Sequence, residues 1–175
     1  MTERYHPESA AWVDHGFAWL SVNYRGSTTF GRDFQTAIYG MLGLREVDDL
    51  SAGHQWLVEN GITTETQVVL TGAHYGGFLA MLALGRRPDL WAGAIVESAI
   101  TDWRTFYEDG NEVVKAYVRA IFDGTPNDIP AQYRNSSPAT YTIDAPVLHI
   151  HDEDMQFRIN SAKGWIDNAT DVHRR

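Results

Sequence analysis

A chain of 175 residues that is 43% hydrophobic and 21% charged has the composition of a single globular domain with one core. Its net charge of -9 leaves no basic stripe of the kind that neutralises phosphates, so neither nucleic acid nor an anionic membrane surface is an expected partner. With no cysteine, disulfides and thiolate chemistry are excluded.

Pro7 suits a first helical position, and Ala10, Ala11, Trp12 and Val13 continue a short helix that Gly16 stops. Residues 17–24 then read as a buried strand, followed by a turn at Arg25-Gly26-Ser27-Thr28. Residues 44–60 carry Leu44, Val47, Leu50, Trp56 and Leu57 at helical spacing, and Gly61 ends that helix. Residues 67–71 predict a second strand running straight into Gly72, and residues 78–86 a second helix, with only a tight turn between them. A third strand is expected at 91–98, an amphipathic helix at 112–122, a fourth strand at 145–151 and the start of a last helix at 161–168. Gly124, Pro126, Pro130 and Pro138 make 123–138 a loop with at most one short helix.

Strands alternating with helices throughout are the signature of a parallel sheet covered by helices. The expected fold is therefore a three-layer α/β sandwich with a mainly parallel sheet, in one domain over residues 1–175. Trp12, Trp19, Trp56 and Trp91 fall on elements expected to face the core, as packing residues. No apolar run is long enough to span a bilayer, and Met1-Thr2-Glu3-Arg4-Tyr5-His6-Pro7 lacks the layout of a signal peptide, so cytoplasm is the default expectation.

Chemistry concentrates in Thr71-Gly72-Ala73-His74-Tyr75-Gly76-Gly77, between a strand and a helix. That is the context of the nucleophile elbow G-x-S-x-G, whose strained turn leaves little room for side chains beside its centre. In an active hydrolase the central serine presents its hydroxyl, and the backbone N–H of the next residue, here Tyr75, stabilises an oxyanion. The centre here is His74. A histidine tolerates unusual backbone angles better than a β-branched residue does, so the turn can form, but the hydroxyl is gone.

Several ordered blocks together resemble the catalytic domain of prolyl oligopeptidase-family serine peptidases, in the acylaminoacyl-peptidase and dipeptidyl-peptidase-like branch. They are Asn23-Tyr24-Arg25-Gly26-Ser27-Thr28 with Phe30-Gly31-Arg32-Asp33-Phe34, Arg45-Glu46-Val47-Asp48-Asp49, the elbow, Leu84-Gly85-Arg86-Arg87-Pro88-Asp89-Leu90, Ser137-Pro138, and Ala145-Pro146-Val147-Leu148-His149-Ile150-His151. The resemblance implies an α/β-hydrolase fold and hydrolysis of peptide or acyl-amino-acid bonds through an acyl-enzyme. It also exposes departures. Serine is replaced by His74, and the family's H-G-x-x-D acid loop corresponds to His151-Asp152-Glu153-Asp154-Met155. Strict spacing puts Met155 at the acid position, and a one-residue deletion puts Asp154 there, the reading favoured. His173 comes too early for the family's catalytic histidine, and the oxyanion segment that precedes the first helix has no counterpart, so the domain is expected to be partial at both ends.

The resulting expectation is a partial peptidase catalytic domain that is inactive as written. Two alternatives stand beside it: a pseudoenzyme that binds a peptide or protein partner through the old cleft, and a metal-assisted hydrolase using His74, His149 or His151. His149 and His151 share a strand face near Asp152 and Asp154, but their spacing fits no metal motif, so no metal or other cofactor is expected. Asp48 and Asp49 read as favourable charges at a helix start. Arg25 reads either as a residue of the active-site rim or as a turn-stabilising donor. Finally, the family's strand order implies that 17–24 and 67–71 flank a missing strand. Either the two edges close up and pair, or a slot stays open and the chain self-associates.

Overall fold

The computed structural model describes residues 7–151. Helix α1 (Pro7–Asp14) opens on its proline and ends where Gly16 turns back with φ +86, its N–H donating to the Val13 carbonyl at 2.9 Å. A short helix α2 (Arg32–Thr36) follows Gly31, and the long α3 (Leu44–Glu59) starts at Gly43, whose φ is +81. A Cβ at Gly43 would fall 2.6 Å from the Phe78 ring, so only glycine lets the start of α3 lie this close to the core.

Strand β1 (Val69–Ala73), helix α4 (Tyr75–Arg86) and strand β2 (Gly93–Glu97) then form a strand–helix–strand unit. Helices α5 (Trp103–Asp109), α6 (Glu112–Phe122) and α7 (Pro130–Asn135), a 3-10 turn at Pro138–Thr140 and strand β3 (Val147–Ile150) complete the described chain. The three strands are parallel in the order β1-β2-β3, with Val69 opposite Gly93 and Ala94 opposite Val147. This is the α/β architecture expected from the alternation of elements.

Helix α4 is apolar nearly all round, which is what a helix enclosed on every side requires. Phe78, Leu79, Ala80, Met81, Leu82, Ala83 and Leu84 are all buried. An aromatic group extends this core: the Trp103 ring meets Phe78 at 5.1 Å, Phe106 at 5.5 Å and Phe122 at 5.6 Å, each edge to face. Trp103 opens α5, a helix that escapes periodicity because it has only seven residues. Its start was nevertheless written in Asp102, whose carboxylate accepts from the Arg104 and Thr105 N–H groups at 2.8 and 3.2 Å. Asn111 caps α6 in the same way, accepting from Val113 and Val114 at 3.1 and 3.0 Å.

Two expectations are corrected. Residues 17–24 are not a strand: they lie outside the three-stranded sheet, and a cavity of about 750 Å3 separates them from β1. Leu20, Val22, Leu57, Leu70, Leu79 and Trp91 are among its walls. An extended backbone becomes a strand only through a neighbouring ladder, and here the neighbouring position is open space. The tryptophans also divide. Trp91 is 5% exposed and in the core, Trp12 and Trp19 are half-buried against the cavity, and Trp56 is 51% exposed on the solvent side of α3.

The direction of this region follows from two contacts. The Thr71 hydroxyl, midway along β1, donates to Glu8 Oε1 at 3.3 Å, so the start of α1 lies beside the strand, two residues from its carboxyl end. Tyr24 lies 6.4 Å from the Tyr75 ring, just past that same end. Residues 17–24 therefore end beside the carboxyl end of β1, across the cavity from that strand. The helix expected at 161–168 lies outside the described residues.

Candidate active site at the strand–helix elbow

His74 sits between β1 and α4 with φ +53 and ψ -108, a conformation that non-glycine residues rarely hold. Two backbone hydrogen bonds keep it there. Its N–H donates to the Glu97 carbonyl at 2.8 Å, and its carbonyl accepts from the Phe78 N–H at 3.0 Å. The first bond ties the turn to β2 and the second starts α4, so strand and helix fix the backbone from both sides. The imidazole is left on the exposed side of the turn.

The glycines around His74 carry unequal loads. A Cβ at Gly72 would stand 2.5 Å from the Gly76 carbonyl carbon, and one at Gly77 would stand 2.9 Å from Ala99 Cβ. Gly76, expected to be crowded, has nothing within 4 Å of such a Cβ because it faces the cavity. The crowding that brings helix and strand together therefore rests on Gly72 and Gly77.

Tyr75, whose N–H follows His74, turns its side chain inward. Its ring packs edge to face on Phe78 at 5.2 Å, and its hydroxyl donates to Glu46 Oε1 at 2.6 Å. Glu46 is wholly buried, and burial pushes its carboxyl above the usual carboxylate range despite the Tyr75 hydrogen bond. Burial and the Glu46 charge push the Tyr75 hydroxyl far up as well, so it keeps its proton. Glu46 was not singled out in the sequence as a functional residue. Its signal was its place three residues after a glycine at a helix start, where a glutamate reaches back to the capping N–H.

The remaining candidates follow the same edge of the sheet. Ser98 succeeds β2 and donates its N–H to the Ile150 carbonyl at 2.7 Å, and His151 succeeds β3. His74, Ser98 and His151 thus stand at the carboxyl ends of three adjacent strands, where α/β folds build their sites. Ser98 is buried with φ +46, a strained position with no sequence signal. The rings of His149 and His151 lie 4.4 Å apart. His149 is 5% exposed, and burial together with His151 pushes its pKa down to about 3. Among the described residues no group of three or more His, Asp or Glu is placed to hold a metal ion. Arg25 takes the turn-stabilising role, paired with Asp49, so Asp49 serves as its counter-ion and not simply as a charge at a helix start. Asp154 and Met155 lie outside the described residues.

The description of the "Prolyl oligopeptidase family" matches residues 4–172. The chain belongs to this family. It is 44% identical over 80 residues to dipeptidyl aminopeptidase BIII of Pseudoxanthomonas mexicana, covering 46% of this chain and 12% of that protein. It is 31% identical over 140 residues to the human acylamino-acid-releasing enzyme, covering 76% of this chain and 19% of that one. The acylaminoacyl peptidase structure of Pyrococcus horikoshii superposes with a TM-score of 0.73 at 24% identity, over 87% of this chain and 26% of that one. The fold is accordingly a partial α/β-hydrolase fold, and this family member spans a small share of its relatives' length. No helix among its described residues is long and apolar enough to cross a membrane.

Proposed function

We propose that this chain is part of a peptidase catalytic domain that does not itself hydrolyse peptide or acyl-amino-acid bonds. The observation that carries this reading is His74 at the centre of the elbow, in the strained conformation of a nucleophile and with no hydroxyl to offer. An acyl-enzyme of the serine type forms when a hydroxyl attacks a carbonyl while a base takes its proton. An imidazole at this position does not supply that hydroxyl.

The carboxyl ends of the strands are where α/β folds bind their ligands, and the elbow's resemblance to a nucleophile turn assigns the Tyr75 N–H to a carbonyl oxygen there. The ligand class that fits is a peptide with a free or acylated amino terminus, as the names of the relatives suggest. Purified protein is expected to release no chromophore from acetyl-amino-acid or dipeptide p-nitroanilides above a blank. Turnover that disappears in His74→Ala would overturn the reading and make His74 catalytic.

A further inference from the structure

We propose that Glu46 is a positioning residue for the elbow: seated in the first turn of α3, it anchors Tyr75 and thereby sets the backbone that follows His74. The inference rests on the elbow's geometry alone and stands whether or not the chain turns over substrate. Three observations converge on it. Glu46 has no exposed surface, and the Tyr75 hydroxyl donates to it at 2.6 Å across 29 positions of sequence. Tyr75 is the first residue of α4, directly after the strained His74. The start of α3 is itself held against α4, because Gly43 packs so closely on Phe78 and Leu82 that no side chain fits there.

The bond is thus a direct side-chain strut between the first turns of two helices. A buried carboxylate kept for packing alone would be unfavourable compared with a neutral residue of its size. A buried carboxylate here is explained if it orients something. The Gly43 and Glu46 backbone N–H groups favour its charged form, in the manner of a capping box with glycine at the cap. The charged and titratable groups around it are Tyr75 on α4, Tyr24 at the end of residues 17–24, Arg25 in the turn that follows, and Asp49 on the next turn of α3.

The test is a pH titration of the elbow's backbone amide resonances in the full chain, with Glu46→Gln and Tyr75→Phe. Glutamine keeps a carbonyl oxygen that can accept from Tyr75, so Glu46→Gln should fold while losing the titrating group. In the unaltered chain the amides of residues 74–76 should shift as Glu46 titrates, at a pH above the ordinary carboxylate range. Glu46→Gln should abolish that shift. Tyr75→Phe should disconnect it and raise hydrogen exchange at the His74 amide several-fold, with exchange in β3 unchanged. A role in packing alone would leave the response of the elbow amides to pH the same in Glu46→Gln as in the unaltered chain, and that result would overturn the proposal. Should Tyr75→Phe fail to fold, the Glu46→Gln titration decides by itself: persistence of the shift sinks the idea.

Discussion

Arg25 and Asp49 are joined by more than an ion pair. The Arg25 backbone N–H donates to Asp49 Oδ2 at 2.7 Å, its Nε lies 3.0 Å from both carboxylate oxygens, and its Nη2 lies 2.8 Å from Oδ1. The same Nη2 also reaches the Arg45 carbonyl at 2.9 Å, so one guanidinium staples the turn after residues 17–24 onto α3. Several charge-assisted bonds on a half-buried pair exceed an ordinary surface ion pair. Asp49→Ala is expected to cost about 1–2 kcal/mol of stability, measured by urea unfolding, with Asp48→Ala near neutral. Equal effects of the two substitutions would mean that the staple contributes little.

His74→Ser is not expected to restore peptidase chemistry. A serine hydroxyl at the elbow needs a base within hydrogen-bond reach. His54 is buried and bonded to the Glu65 carbonyl at 3.0 Å, His15 is bonded to the Ala11 carbonyl at 2.7 Å, and His149 is buried. His151 follows β3, two strands from β1 and so about 10 Å away along the sheet. A fluorophosphonate probe should label the variant no faster than it labels His74→Ala. Rapid labelling that His151→Ala abolishes would assign His151 as a base.

Acid should weaken the fold through His149. Its pKa is 6.5 when unperturbed and about 3 in the folded chain, so between those values the unfolded chain binds the extra proton. The sign follows directly: stability is full above about pH 6.5 and falls as pH drops towards 3. At pH 5 the loss is about 2 kcal/mol, from a difference of about one and a half pK units. Glu46 works the other way, since its raised pKa makes stability fall as pH rises past its ordinary value of 4.5. Comparing His149→Leu with the unaltered chain at pH 7 and pH 5 isolates the histidine. An unchanged pH dependence in that variant would show that His149 is not the group responsible.

The open cavity between residues 17–24 and β1 is expected to make the isolated chain associate at micromolar concentration. β1 pairs only with β2 among the described residues, so its other edge presents unpaired N–H and C=O groups towards the cavity. Exposed Phe17, Leu20 and Val69 lie beside it. Light scattering during thermal unfolding should show growing assemblies of no fixed size. A monodisperse monomer that melts cooperatively above about 60 °C would show that this edge is harmless.

How far the sequence reached differs from element to element, for physical reasons. Helices α3 and α6, the strands around α4 and the elbow itself were legible because each is decided by neighbours in sequence: periodicity, a stop at Gly61, and a strand running into Gly72. Short α5 was not, since seven residues carry too little periodicity, although Asp102 marked its start. Residues 17–24 are apolar enough for a strand, yet a strand exists only when another chain segment supplies the ladder. Sequence also placed His74 and Tyr75 at the turn between strand and helix. Only the tertiary structure decided that Gly77, not Gly76, bears the close approach, and that Glu46 meets Tyr75 across 29 positions. Local patterning specifies backbone conformation within a few residues. Which side chains meet across the core depends on how helices and strands stack, and no stretch of sequence holds that information by itself.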